Sequence, residues 1–142
     1  MDHPTAFTMG EMGGGSVHGS LAQNILFRGG DAGNDSAILL HSQGDLIKSC
    51  GAEIGSSGIY EGGIAESMDA VDDDLVSMDE FKFFFNYMEF TDTELEQMLA
   101  AEDSEGDAWI SMEVPPSIIL DSDYSRGDAW SYLRNQAKQK FL

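Results

Sequence analysis

Large apolar side chains recur at spacings of three and four over residues 79–90, Asp-Glu-Phe-Lys-Phe-Phe-Phe-Asn-Tyr-Met-Glu-Phe, through Phe81, Phe84, Phe85 and Met88. That spacing predicts a helix. A second helix is predicted to open at Thr91-Asp-Thr-Glu94. Here the Thr91 hydroxyl can accept from the Glu94 amide while the Glu94 carboxylate reaches back to the Thr91 amide. Leu95, Met98 and Leu99 then carry an apolar stripe to about Glu102. A third helix is expected over 129–142, with Trp130, Leu133, Ala137 and Phe141 along one side. Leu21 to Arg28 reads as a short helix stopped by Gly29-Gly30. Residues 37–50 carry Ile38, Leu39, Leu40, Leu46 and Ile47, interrupted by Gly44. Residues 51–63, with five Gly and two Ser, read as a loose linker, and residues 1–20, with five Gly, as a flexible arm.

Charge narrows the function. The 142 residues hold 26 Asp and Glu against 7 Lys and Arg, a formal net charge of −19. A nucleic-acid binder that neutralises phosphates needs clustered bases, which this chain lacks. An anionic membrane surface would repel it, and the longest apolar runs are four residues, so no membrane insertion is expected. With 42% apolar and 10% aromatic residues the chain can still build a core. Cys50 is the single cysteine, and Met1-Asp2-His3-Pro4 has neither a basic nor an apolar leader region. Both point to a reducing, cytoplasmic setting. The acids are concentrated: residues 61–113 hold 17 of them and one base, Lys82. The last 17 residues hold four bases, Arg126, Arg134, Lys138 and Lys140.

Two acidic clusters stand 34 residues apart. One is Asp69-Ala-Val-Asp-Asp73-Asp-Leu-Val76-Ser77-Met-Asp-Glu80; the other is Asp103-Ser-Glu105-Gly-Asp107-Ala-Trp-Ile110-Ser111-Met-Glu-Val114. Both place carboxylates at loop positions 1 and 5, a β-branched residue at 8 and Ser at 9. A twelve-residue loop of this kind can offer a hard cation six to eight oxygens. These segments resemble EF-hands of the calmodulin and myosin light-chain superfamily. A weaker third copy begins at Asp31, with Asp35 at its position 5. The resemblance implies a mostly α fold, a degenerate EF-hand pair whose loops join through a short antiparallel strand at Val76 and Ile110. It divides the chain into the arm (1–20), a decayed first hand and linker (21–63), the pair (64–120) and a basic C-terminal helix (121–142).

The departures from the family pattern are in the ligand positions. Ser36, Asp74 and Ala108 stand where the loop wants Gly, and only Glu80 fills the bidentate position. At most one weak Ca²⁺ site is implied, with Asp69, Asp73, Ser77 and Glu80 as ligands and Asp103, Glu105 and Asp107 as a weaker set. A scaffold that has lost its metal is the favoured reading. Such lobes grip an amphipathic helix in a Met- and Phe-lined cup. Phe81, Phe84, Phe85, Met88, Phe90, Leu95, Met98 and Leu99 would line it, and the basic 129–142 helix could occupy it. The expected function is therefore a non-catalytic light-chain-like subunit holding a basic amphipathic helix of a larger protein. A genuine Ca²⁺ sensor or buffer, and an acidic structural subunit without metal, are the alternatives. Catalysis is not expected: His3, His18 and His41 are scattered, and Cys50 has no identifiable base.

Overall fold

A computed structural model describes residues 3–13, 15–47, 51–100, 109, 111–120 and 128–141. Among these residues six strands form one mixed sheet: β1 (His3–Thr8), β2 (Ile25–Arg28), β3 (Ala32–His41), β4 (Gly51–Glu53), β5 (Tyr60–Gly62) and β6 (Phe81–Tyr87), in the order β1-β2-β6-β3-β5-β4. Among the described residues five α-helices accompany them: α1 (Met9–Met12), α2 (Ile64–Asp72), α3 (Asp92–Ala100), α4 (Pro116–Leu120) and α5 (Asp128–Phe141). This architecture replaces the mostly α EF-hand pair expected from the sequence.

The decisive correction is β6. Its residues read as a helix, but they form a central strand, parallel to β2 on one side and antiparallel to β3 on the other. A strand covered on both faces is apolar nearly throughout, so its period of two is masked and a spacing of three or four arises by accident. Aromatic residues also favour the pleated surface. Phe81, Lys82 and Phe83 are all buried, with Phe83 fully so. Phe81 and Phe83 face an inner core with Leu26 and Leu39 from the sheet, Leu21, and Met68 and Val71 from α2. Lys82 and Phe84 fall on the opposite, outer face, as alternation requires. There the Lys82 Nζ lies 4.4 Å from the centroid of the Phe27 ring and donates to the Ile119 carbonyl at 3.0 Å. That bond fastens α4 over the outer face, and Ile118 of α4 is buried.

The other differences have local causes. The stretch read as a flexible arm holds β1 and α1. α1 opens with a capping box: the Thr8 amide donates to Glu11 Oε2 at 2.9 Å and the Glu11 amide to Thr8 Oγ1 at 3.3 Å. Leu21 to Arg28 is a 3₁₀ turn (Ser20–Gln23) followed by β2, and the Asp31 copy of a loop is instead the start of β3. The linker is a β4–β5 hairpin, closed by the Ile54 amide donating to the Ile59 carbonyl at 2.8 Å. The helix after Thr91 is present, and its capping box forms with bonds of 2.9 and 3.1 Å. A C-terminal helix is present too, as α5.

Candidate functional site

Where a cation loop was expected at Asp69, the chain makes a helix exit. Asp69 lies in the last turn of α2, and the Asp73 amide donates back to the Asp69 carbonyl at 2.9 Å. Asp74 adopts φ +56°, its amide reaches the Val71 carbonyl, and the Leu75 amide reaches that of Ala70. This is the Schellman closure of a helix end, with Asp in the position usually held by Gly. Ser77 then caps the 3₁₀ turn Met78–Glu80, its hydroxyl accepting from the Asp79 amide at 3.3 Å, and Glu80 stays exposed in that turn. Val76 lies in no strand. Among the described residues no three His, Cys, Asp or Glu come together as a metal-ligand group. Asp103, Glu105, Asp107 and Ile110 lie outside the described residues.

The expected apolar cup is divided by the fold. Phe81 belongs to the inner core, Phe85 packs against that core, and Phe84 sits half-buried on the outer face. The remainder is a surface. Met88 is 55% exposed, Phe90 40%, and Leu95 and Leu99 each 43%, with Met98 half-buried beside them. Trp109 meets Phe90 edge-on, with ring centroids 6.0 Å apart. Leu95 and Leu99 are one helical turn apart on α3, which buries none of its residues. Glu89, Asp92, Glu94 and Glu96, all exposed, are interleaved with them along the chain. The result is an exposed ridge of chain over residues 88–99 in which apolar and acidic side chains are interleaved.

A second feature lies on the outer face of the sheet, where sequence reasoning placed only Phe84, as part of the helix-binding cup. A pocket of about 360 Å³ opens between β3, β6 and α4, lined by Ile38, Leu40, Ile54, Phe84, Asn86 and Ile119 among others. Gly29 and Gly30 let the end of β2 run against the end of β6. A Cβ at Gly29 would stand 2.2 Å from the Asn86 carbonyl oxygen, and one at Gly30 2.4 Å from the Tyr87 backbone. That Gly pair had been read only as a helix stop.

His41, at the end of β3, is structural in its contacts. It is fully buried, stacks on Tyr60 and touches Phe81. Its Nδ1 faces the Gln43 amide at 3.1 Å, which can only donate, so Nε2 carries the proton and donates to the Gly62 carbonyl at 3.0 Å. Burial lowers its pKa below the usual imidazole value, against a smaller opposing effect of the Gly62 bond. No helix among the described residues is long and apolar enough to cross a membrane. No family model, curated protein or solved structure matches this chain.

Proposed function

We propose that the protein is a non-catalytic acidic subunit that binds a basic amphipathic helix of a larger partner through residues 88–100. The observation that carries this reading is the run of exposed apolar side chains Met88, Phe90, Leu95 and Leu99 interleaved with the exposed acids Glu89, Asp92, Glu94 and Glu96. Apolar side chains grouped on a surface among polar residues mark a contact site. A chain of net charge −19 selects a basic partner and draws it in faster at low salt. The grip differs from the EF-hand cup: one helix and the strand exit before it present the ridge. The ridge does not call for a metal. A cytoplasmic setting accords with the lone Cys50.

The test is calorimetric titration of the full chain with a Leu/Lys amphipathic peptide about twenty residues long. Micromolar binding that weakens with added salt and is unchanged by chelator is the expected result. The double variant Leu95→Asp/Leu99→Asp should bind at least about tenfold more weakly, because charges would enter an interface that has to be dry. Both side chains are exposed, so the variant's circular dichroism and urea midpoint should match the wild type. Equal affinity for the peptide would remove the ridge as the docking surface.

A further inference from the structure

Two helices of this chain carry opposite charge beside apolar residues that the fold does not bury. Residues 88–100, the exit of β6 and α3, hold four acids and no base. α5 holds three of the chain's seven bases, Arg134, Lys138 and Lys140, against one acid, Asp128. Leu95, Leu99 and Trp130 are exposed, and none of residues 130–139 is buried.

The two helices share one spacing. On α3, Leu95 and Leu99 stand one turn apart, with Glu96 beside them and Asp92 one turn before Glu96. On α5, Leu133 and Ala137 stand one turn apart, with Arg134 and Lys138 beside them and Trp130 one turn before Arg134. The Arg134 guanidinium carbon lies 5.9 Å from the centroid of the Trp130 ring, which keeps that base next to the apolar row. On both helices the charged row is displaced to the same side of the apolar row. Two facing helices keep that side in common only when they run antiparallel. In that arrangement the apolar rows meet and Asp92 and Glu96 face Arg134 and Lys138.

We infer that α5 of one copy docks antiparallel on the 88–100 ridge of a second copy, and reciprocally, closing a two-fold dimer. This rests on the ridge being a helix-docking surface, as proposed above, and gives it a second occupant. Charge selects that occupant: two bodies of net charge −19 repel each other, and α5 brings the bases that offset the repulsion at the contact. Closure follows because each copy offers both faces, so the second contact repeats the first. Two short helix pairs make a small interface, so the dilute chain is monomeric with its ridge free. As concentration rises, α5 of a neighbour competes with the basic partner for the same residues.

Sedimentation equilibrium of the full chain from about 1 to about 300 µM should show a reversible monomer–dimer equilibrium. Leu95→Asp/Leu99→Asp and Arg134→Glu/Lys138→Glu change exposed residues on the two sides of the contact, and each should weaken the dimer at least about tenfold. Mixed in equal amounts, the two variants should associate more tightly than either does alone. The intact α5 of the first then meets the intact ridge of the second, a rescue that a contact within one chain cannot give. A monomer at every concentration, or a mixture no tighter than its separate components, would overturn the inference. The Leu/Lys peptide titrated into Arg134→Glu/Lys138→Glu reads the ridge independently. Peptide binding there, with no dimer in the wild type, would sink the second-copy contact and leave the ridge as a docking surface.

Discussion

Residues 81–87 and 88–100 are consecutive, both rich in large apolar side chains, and they have opposite fates. The first, β6, is the most deeply buried strand of the sheet, with Phe81, Lys82 and Phe83 each no more than 2% exposed. The second, ending in α3, buries nothing. Composition does not separate them. What separates them is whether neighbours exist for both faces. β6 has β2 and β3 at its edges, α2 on one face and α4 on the other. α3 has a helical stripe and a good N-terminal cap but, among the described residues, no element that buries any of its side chains. The comparison shows that a helix can be specified locally by its cap and charge pattern, whereas a central strand is specified only by what surrounds it.

The sharpest way to break this comparison is to truncate one large residue in each region. Phe83→Ala should cost about 3–5 kcal/mol, since it empties a fully enclosed site in the centre of the sheet. Leu99→Ala, at 43% exposure, should stay within about 0.5 kcal/mol of the wild type. Urea unfolding of both variants measures the contrast. Similar costs would mean that α3 is covered in solution and that the two regions are not opposites.

How much of this was legible in the sequence follows the same division. The Thr91–Glu94 box and the C-terminal helix are local signals, and both elements are present. The equally local Thr8–Glu11 box is masked by five glycines in the first twenty residues, which read as an arm. β6 was not legible. Phe-Lys-Phe-Phe-Phe satisfies a period of two and a spacing of three and four at once, and only its partners decide. Asp69 and Asp73 read as ion ligands, yet they close a helix exit through the Asp73 amide and the Asp69 carbonyl, and the neighbouring Asp72 accepts from the Ser20 amide at 3.3 Å. Nothing in single-residue patterning marks the outer-face pocket, because it is built from β3, β6 and α4, far apart in the chain. Asn86-Tyr87 facing Gly29-Gly30 becomes meaningful only once the strands are paired.

A smaller effect probes the sheet alone and leaves α3 out. His41 is held neutral in the fold, with a pKa lowered by burial. In the unfolded chain an imidazole titrates near 6.5. Below that pH the unfolded state takes up a proton that the folded state refuses, so the unfolded state binds more protons. Stability is therefore fully present above about pH 6.5 and is lost as pH falls from there toward the depressed folded value. Urea midpoints at pH 7.5, 6.5 and 5.5 should decline for the wild type. The decline over this window should be shallower in His41→Gln, whatever that variant's starting stability. An equal slope in both would mean that the His41 ring is not sealed between Tyr60 and Phe81.

The smallest effect tests whether α3 unfolds by itself. Thr91→Ala removes the hydroxyl that accepts from the Glu94 amide at 3.1 Å, and caps of this kind contribute about 1 kcal/mol to their helix. In β6 a loss of that size would appear in global unfolding. In α3 it should not, because a helix without buried residues opens locally long before the sheet does. Amide hydrogen exchange across residues 95–98 should accelerate about fivefold, while the urea midpoint stays unchanged. The affinity for the basic peptide should hardly change if the folded α3 is the form that binds, since apparent affinity follows the folded fraction, which stays near one while a small open fraction rises about fivefold. If the midpoint fell together with the exchange protection, α3 would belong to the cooperative unit that contains β6, and its exposed Leu95 and Leu99 could not be treated as a surface independent of the core.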